Sequence, residues 1–267
     1  MSEAHDALSR VLHEVGDCAV ALSGGVDSVT LAAVAHGILG RRVEMIHAVS
    51  PAVPPAATRR VRELARDREW RLTVLDAGEF ADPRYRANPA NRCFFCKTNL
   101  YGTMAGSTDV VLLSGTNLDD LGDWRPGLQA ARDHGVRHPY VEAGIDKAGV
   151  RALARELGLS DIAELPSAPC LASRVETGLR IEPDMLRAID AVETDLRDAL
   201  GPRTVRVRLR AEKVGVELDD ATLARLKDAD RRAWASRIAD RFGAALGGRP
   251  VVFDAYRRGS AFLRSTS

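Results

Sequence analysis

Three groups of residues in this 267-residue chain have the types and spacing for chemistry. The first is Ser23-Gly24-Gly25-Val26-Asp27-Ser28. Gly24 and Gly25 let the backbone approach an anion closely, with no Cβ in the way. A glycine turn running into a helix aims backbone N–H groups and a helix N-terminus at an oxyanion. Ser23 and Ser28 add hydroxyl donors, and the carboxylate of Asp27 suits a Mg²⁺ bridged to phosphate oxygens. No lysine follows the glycines as in a Walker loop, and the spacing is not GxGxxG. The bland alternative is an ordinary Gly-Gly turn capped by Ser28.

The second group is Cys93, Cys96 and Cys170. Cys-x-x-Cys places two thiolates close enough to share one metal or cluster. Three thiolates would leave one iron of a cubane cluster without a protein ligand, whereas a tetrahedral zinc site wants a fourth. Unligated thiols, with Phe94 and Phe95 anchoring the loop, are the alternative. Cys18 lies in an apolar run and is expected to be buried and inert. The third group is Thr204-Val205-Arg206-Val207-Arg208-Leu209-Arg210, whose alternation puts the valines and leucine on one strand face and the arginines on the other. A guanidinium row suits a phosphate or carboxylate, but a solvated strand face carries the same pattern. Asp119, Asp120 and Asp123 are weaker candidates for Mg²⁺ or pyrophosphate. The six histidines show no ligand spacing and are expected to be structural or at the surface.

The elements that must position these groups alternate in type. An amphipathic helix over 3–15 precedes a short apolar strand, 18–22, which runs into the glycine turn and a helix of small apolar residues. Further strands are expected at 43–49, 71–76 and 110–114, with a charged helix over 57–70 and a helix from Cys93. Alternating strands and helices imply an α/β fold with a doubly wound, mainly parallel sheet, whose ligands sit at the C-terminal strand ends. The segments 50–55, 77–92 and 115–127 read as loops, and Asp146 as the cap of a helix over 147–157. After the proline-punctuated stretch 165–174, the chain reads helix 183–200, strands 203–210 and 213–218, helix 220–245 and strand 250–256. Two domains are therefore expected, 1–172 and a smaller α+β domain over 173–267.

Composition is that of a soluble globular protein, 45% apolar and 28% charged. A formal net charge of +1 argues against holding a long nucleic acid by bulk electrostatics, though not against a small anion. Neither a secretory signal nor a membrane-spanning apolar stretch is evident, so the cytoplasm is the expected compartment. Four cysteines are too few for a disulfide scaffold.

SGGxDS directly after a strand resembles the signature of the PP-loop ATP pyrophosphatases, which split ATP into an adenylate and pyrophosphate. Over nearly the whole chain the sequence is similar to the LarE family of PP-loop sulfur transferases, which work in synthesis of the nickel-pincer nucleotide cofactor. SGGVDS at 23–28, RCFFCK at 92–97, DWRPGL at 123–128, PCLASR at 169–174, TVRVRL at 204–209, Glu217 and the closing FDAYRRG carry the resemblance. It implies ATP and Mg²⁺ on Ser23, Gly24, Gly25, Asp27 and Ser28, and adenylation of a carboxylate of pyridinium-3,5-biscarboxylic acid mononucleotide. Cys170 matches the family's sulfur-donating cysteine. Arg206 and Arg208 would hold the substrate phosphate, with Glu193 and Glu217 lining that site. The extra Cys93 and Cys96 resemble a three-cysteine branch thought to hold a 4Fe-4S cluster on Cys93, Cys96 and Cys170, where the open iron could carry sulfide and spare Cys170. The resemblance also implies a homo-oligomer, a hexamer. A PP-loop enzyme thiolating tRNA is a second reading, but no added RNA-binding module is evident. An amide-forming ligase would leave the cysteines without a role, and a non-catalytic adenylate-binding or redox-sensing protein is the alternative from another class.

Overall fold

A computed structural model describes residues 2–122 and 126–257. Their elements in chain order are α1 (Glu3–Val15), β1 (Cys18–Ala21), α2 (Val26–Leu39), β2 (Val43–Val49), α3 (Pro55–Asp67), β3 (Leu72–Asp76), α4 (Pro83–Arg86), α5 (Arg92–Ala105), β4 (Val111–Leu113), α6 (Pro126–Asp133), α7 (Pro139–Glu142), α8 (Lys147–Glu156), α9 (Ser160–Ala163), α10 (Pro183–Leu200), β5 (Val205–Leu209), β6 (Val214–Leu218), α11 (Asp220–Arg225), α12 (Asp228–Phe242) and β7 (Val251–Ala255). They form two compact units.

Unit 1 comprises 1–82 and 91–168. Its four strands are all parallel in the order β3-β2-β1-β4. Successive residues of a strand face opposite sides, and here both sides are covered. Val20, Met45 and Leu113 join α1, α2, α3 and α8 in one core, while Ala19, Ile46 and Leu112 meet Tyr101, Met104 and Ala131 of α5 and α6 on the other. This is the doubly wound arrangement that the alternating pattern implies. With both faces covered, β1 reads as an apolar run without polar alternation, whereas the edge strand β3 leaves Thr73, Val74 and Asp76 exposed.

Unit 2 comprises 169–267 together with 83–90. Its sheet has the order β5-β6-β7, β5 antiparallel and β7 parallel to β6. The segment 83–90 is stitched in by polar contacts. Asn88 Nδ2 donates to the carbonyls of Glu176 and Leu179 at 2.8 and 2.9 Å, Ile181 N donates to Arg86 O at 2.8 Å, and Tyr85 is buried.

Several boundaries differ from the periodicity for local reasons. Helix α3 starts earlier than expected because Pro55 occupies its first turn, where no N–H is needed. It stops at Asp67, and Glu69 takes φ +55° so that Trp70 turns into the core. The helix expected over 220–245 is two helices. Asp219 caps α11 through Thr222 N (3.1 Å), and Asp230 accepts from Lys227 N (3.1 Å) to start α12 afresh. Between them Leu226 is buried. The loop 115–127 contains a 3-10 turn, Leu118–Leu121, and the start of α6.

Candidate active site

The glycine turn joins β1 to α2 at the C-terminal end of the parallel sheet. Gly24 has φ +81°, and a Cβ there would meet Ala57 O at 3.0 Å and Val61 Cγ2 at 3.1 Å, so only glycine fits. Hydroxyls hold the turn closed from within. Ser28 Oγ accepts from Ser23 N (3.0 Å), donates to Gly25 O (3.2 Å) and lies 3.0 Å from Ser23 Oγ. Arg60 on α3 donates to Gly24 O at 2.8 Å, tying down the outer side of the turn. Behind it, the buried His47 bridges Leu22 O (2.7 Å) and Thr58 Oγ1 (2.9 Å), and burial pulls its pKa below the usual imidazole value. Gly25 is the N-cap of α2, whose first turn has no side-chain cap among the described residues. That end is where a helix attracts an anion.

Asp27 lies in that first turn and is the most heavily engaged carboxylate of the region. Lys147 Nζ stands 2.7 and 2.6 Å from its two oxygens, and Asn117 Nδ2 donates to Oδ1 at 3.1 Å. Tyr140, fully buried, donates its hydroxyl to Asp27 O at 3.0 Å, and burial raises its pKa well above the phenol value. Gly115 completes the contact, since a Cβ there would sit 2.9 Å from Asp27 C and Ser28 N. The loop after β4 is thus packed against the start of α2 with no room for a side chain. Lys147, Asn117, Tyr140 and Gly115 were not singled out by sequence spacing, because nothing local links positions 115–147 to 27. The weak signals were a second glycine loop leaving a strand and a lysine following a helix cap.

The acidic loop is occupied with local structure. Asp120 Oδ2 accepts from Asn117 N (3.1 Å), and Asp119 Oδ2 accepts from Lys147 N (3.2 Å). Asp123, Trp124 and Arg125 lie outside the described residues, as do Arg258 and Gly259 of the closing motif. His138 meets Ser114 Oγ at 2.8 Å, and burial lowers its pKa.

In unit 2 the arginine strand is not a solvated face. Val205, Val207 and Leu209 are buried as expected, but so is Arg208, with Arg206 half-buried. Arg208 Nε donates to Glu217 Oε2 (3.2 Å) and its NH1 to Ser173 O (2.9 Å), while Arg210 NH2 donates to Glu217 Oε1 (3.0 Å). Glu193 on α10 is fully buried and accepts from Arg174 Nε and NH2, both 3.0 Å, from Arg197 NH2 (2.8 Å) and from Val207 N (3.0 Å). Arg174 also donates to Pro169 O (2.6 Å) and Cys170 O (3.2 Å), so it shapes the backbone that carries Cys170. In the sequence Arg174 stands out only as the last residue of PCLASR. Burial, followed by the nearby Arg174 charge, pulls the pKa of Arg206 below the usual guanidinium value.

Cys93 and Cys96 are one turn apart at the start of α5, Cys93 exposed and Cys96 half-buried. Cys170 is exposed on unit 2, at the N-cap of a 3-10 turn. Cys18 is buried, and burial, with the Asp17 charge adding, pushes its thiol up to about 11. The i, i+3 spacing of Cys93 and Cys96 puts both on one helix face, and among the described residues no group of three or more His, Cys, Asp or Glu side chains is gathered as a metal site.

A doubly wound α/β unit with an anion-ready glycine turn, joined to a small α+β unit, defines the class. No family model matches the chain. It is 37% identical over 215 residues to the uncharacterized protein slr1717 of Synechocystis sp., covering 79% of this chain and 80% of that one. The chain belongs to the family of that protein. It is also 29% identical over 221 residues to the pyridinium-3,5-bisthiocarboxylic acid mononucleotide synthase of Lactiplantibacillus plantarum, covering 81% of this chain and 79% of the synthase. A third relative, MJ0830 of Methanocaldococcus jannaschii, is 28% identical over half of each chain. Among the described residues, no helix is long and apolar enough to cross a membrane.

Proposed function

We propose that this chain is an ATP-dependent sulfur transferase that converts a carboxylate of pyridinium-3,5-biscarboxylic acid mononucleotide to a thiocarboxylate. Likeness to a synthase named for the bisthiocarboxylic product supports the substrate class. The observation that carries the ATP step is the Gly24–Gly25 turn, closed by Ser23 and Ser28, with Asp27 charge-paired beside it at the start of α2. ATP phosphates would lie on the turn's N–H groups and on the helix N-terminus. A carboxylate oxygen of the substrate attacks the α-phosphorus and pyrophosphate leaves, which makes AMP the leaving group in place of oxide. Mg²⁺ fits Asp27, since an ammonium already stands against both of its oxygens. The ion would neutralise phosphate charge there.

Sulfur would enter through Cys170, which is exposed. In the sacrificial form its thiolate adds to the acyl carbon and expels AMP. Loss of the Cα proton and cleavage of the Cβ–S bond then release the thiocarboxylate and leave dehydroalanine. In the cluster form Cys93, Cys96 and Cys170 would hold a 4Fe-4S cluster, supplying an iron with no protein ligand at which inorganic sulfide can be kept. Arg206, Arg208, Glu193 and Glu217 are the substrate-side residues of this reading. Of these, Arg206 is half-buried and donates its NH1 to Val205 O (2.7 Å), while Glu193, Arg208 and Glu217 are buried.

The test is anaerobic purification with iron and sulfide analysis, followed by pyrophosphate release and intact mass after reaction with ATP and substrate. Substrate-dependent pyrophosphate release that is lost in Asp27→Ala is expected, and full activity of that variant would sink the mechanism. About four irons per chain with unchanged mass supports the cluster form. An iron-free protein lighter by H₂S at Cys170 supports the sacrificial one.

A further inference from the structure

We propose that Lys147 is the resident counter-cation of Asp27, displaced by the divalent cation and turned onto the phosphates when nucleotide binds. The inference rests on the nucleotide reading above and deepens it. Lys147 Nζ meets both Asp27 oxygens at 2.6–2.7 Å, in the position a cation takes against a carboxylate. Neither side chain is buried: about a third of each remains exposed, so water and ions reach the pair. At that exposure an ion pair adds little stability, and its breaking on ligand arrival is correspondingly cheap.

The backbone of Lys147 is fixed, while its side chain is held at its far end, by the ammonium contact to Asp27. It is the first residue of α8, its N–H donates to Asp119 Oδ2 (3.2 Å), and Asp146 caps the helix through Gly149 N (2.8 Å). A four-carbon stem on a pinned backbone can swing its ammonium without moving the fold. Asp27 is the converse. Its main chain is clamped by Tyr140 and by the close approach of Gly115, so its carboxylate is presented and not withdrawn. Asp27 lies in the first turn of α2, whose N-cap is Gly25, so an ammonium released from it stays at the helix end where an anion is attracted. Asp27 and Lys147 together then bring a metal and a monocation to one polyphosphate.

The test is calorimetric titration of the full-length protein with inorganic pyrophosphate in EDTA, and separately with Mg²⁺. Lys147→Met is expected to weaken metal-free pyrophosphate binding at least about tenfold, the loss of one charge-assisted contact, and Lys147→Arg to keep most of it. The same Met variant should bind Mg²⁺ more tightly than wild type, its competitor at Asp27 being gone. Asp27→Asn should tighten metal-free pyrophosphate binding, and the gain should vanish in the Asp27→Asn, Lys147→Met double variant. Unchanged pyrophosphate affinity in Lys147→Met overturns the proposal, as does unchanged Mg²⁺ affinity or a gain that survives in the double variant. If Lys147→Met does not fold, as judged by circular dichroism, Asp27→Asn still decides, because no gain there also overturns it. Wild-type protein that binds neither ATP nor pyrophosphate takes down the nucleotide reading as well.

Discussion

Glu193 offers the sharpest test of what unit 2 is built to do. The family resemblance puts it beside the substrate, yet its carboxylate is fully buried and accepts four hydrogen bonds, three of them from guanidinium N–H groups. Glu193→Gln keeps the shape and removes the charge. The new amide NH₂ faces donors, and Arg174, itself 4% exposed, is left as a buried charge without its counter-ion. Breaking one side of a buried pair costs about 3–5 kcal/mol. For a unit of this size each kcal/mol moves the melting temperature by about 4–8 °C, so a drop of at least about 12 °C is expected. In a background with Trp70 and Trp124 changed to Phe, fluorescence of the buried Trp234 on α12 follows unit 2 alone. Arg174→Met should lose a comparable amount, and the double variant Arg174→Met, Glu193→Leu much less than the sum. A Glu193→Gln protein with wild-type melting that has lost substrate-dependent pyrophosphate release would refute the structural reasoning and return Glu193 to the substrate.

Gly115→Ala places a methyl 2.9 Å from the backbone of Asp27 and Ser28. The overpacking should cost about 1–3 kcal/mol in urea unfolding and weaken ATP binding, whereas Gly37→Ala, with open space around it, should do neither. His47 has a folded pKa below its unfolded value of about 6.5, so the unfolded chain binds more protons below that pH. Stability should therefore be fully present above about pH 6.5 and fall as the pH drops through it toward the folded pKa. His47→Asn should flatten that slope. His138 adds to it with the same sign, while buried Glu79, its carboxyl pushed up by burial, slopes the other way from about pH 4.5 upward. Iodoacetamide at pH 8 should label Cys170 and Cys93 in the native protein and spare Cys18, whose thiol is buried and titrates near 11. Peptide mass mapping reads the order directly, and early labelling of Cys18 would contradict its burial.

The glycine turn, the parallel α/β sheet and the α10-to-β7 order were legible because each is written in a few adjacent residues or in short periods. SGGVDS needs φ > 0 at Gly24 and a helix start at Val26, both local demands. Strands β1, β2 and β4 are apolar because two helical layers cover them, and that burial shows as composition. Helix ends were less legible. Where two caps compete, as Asp219 and Asp230 do, the choice depends on whether Leu226 finds a core to enter.

By itself the sequence determined the chemistry on offer: an anion-ready turn, three thiols away from the apolar core, and a guanidinium row on one strand. Tertiary structure alone decided how that chemistry is wired. It brought Lys147, Asn117 and Tyr140 onto Asp27 across about a hundred residues. Arg208, Arg210 and Glu217 were drawn into one buried network, and Glu193 was set between Arg174 and Arg197. The physical reason is that charge pairing acts through space at a few ångströms, while a sequence pattern reports only neighbours along the chain. Burial strengthens the effect, because a charge removed from water must find a partner wherever the fold supplies one.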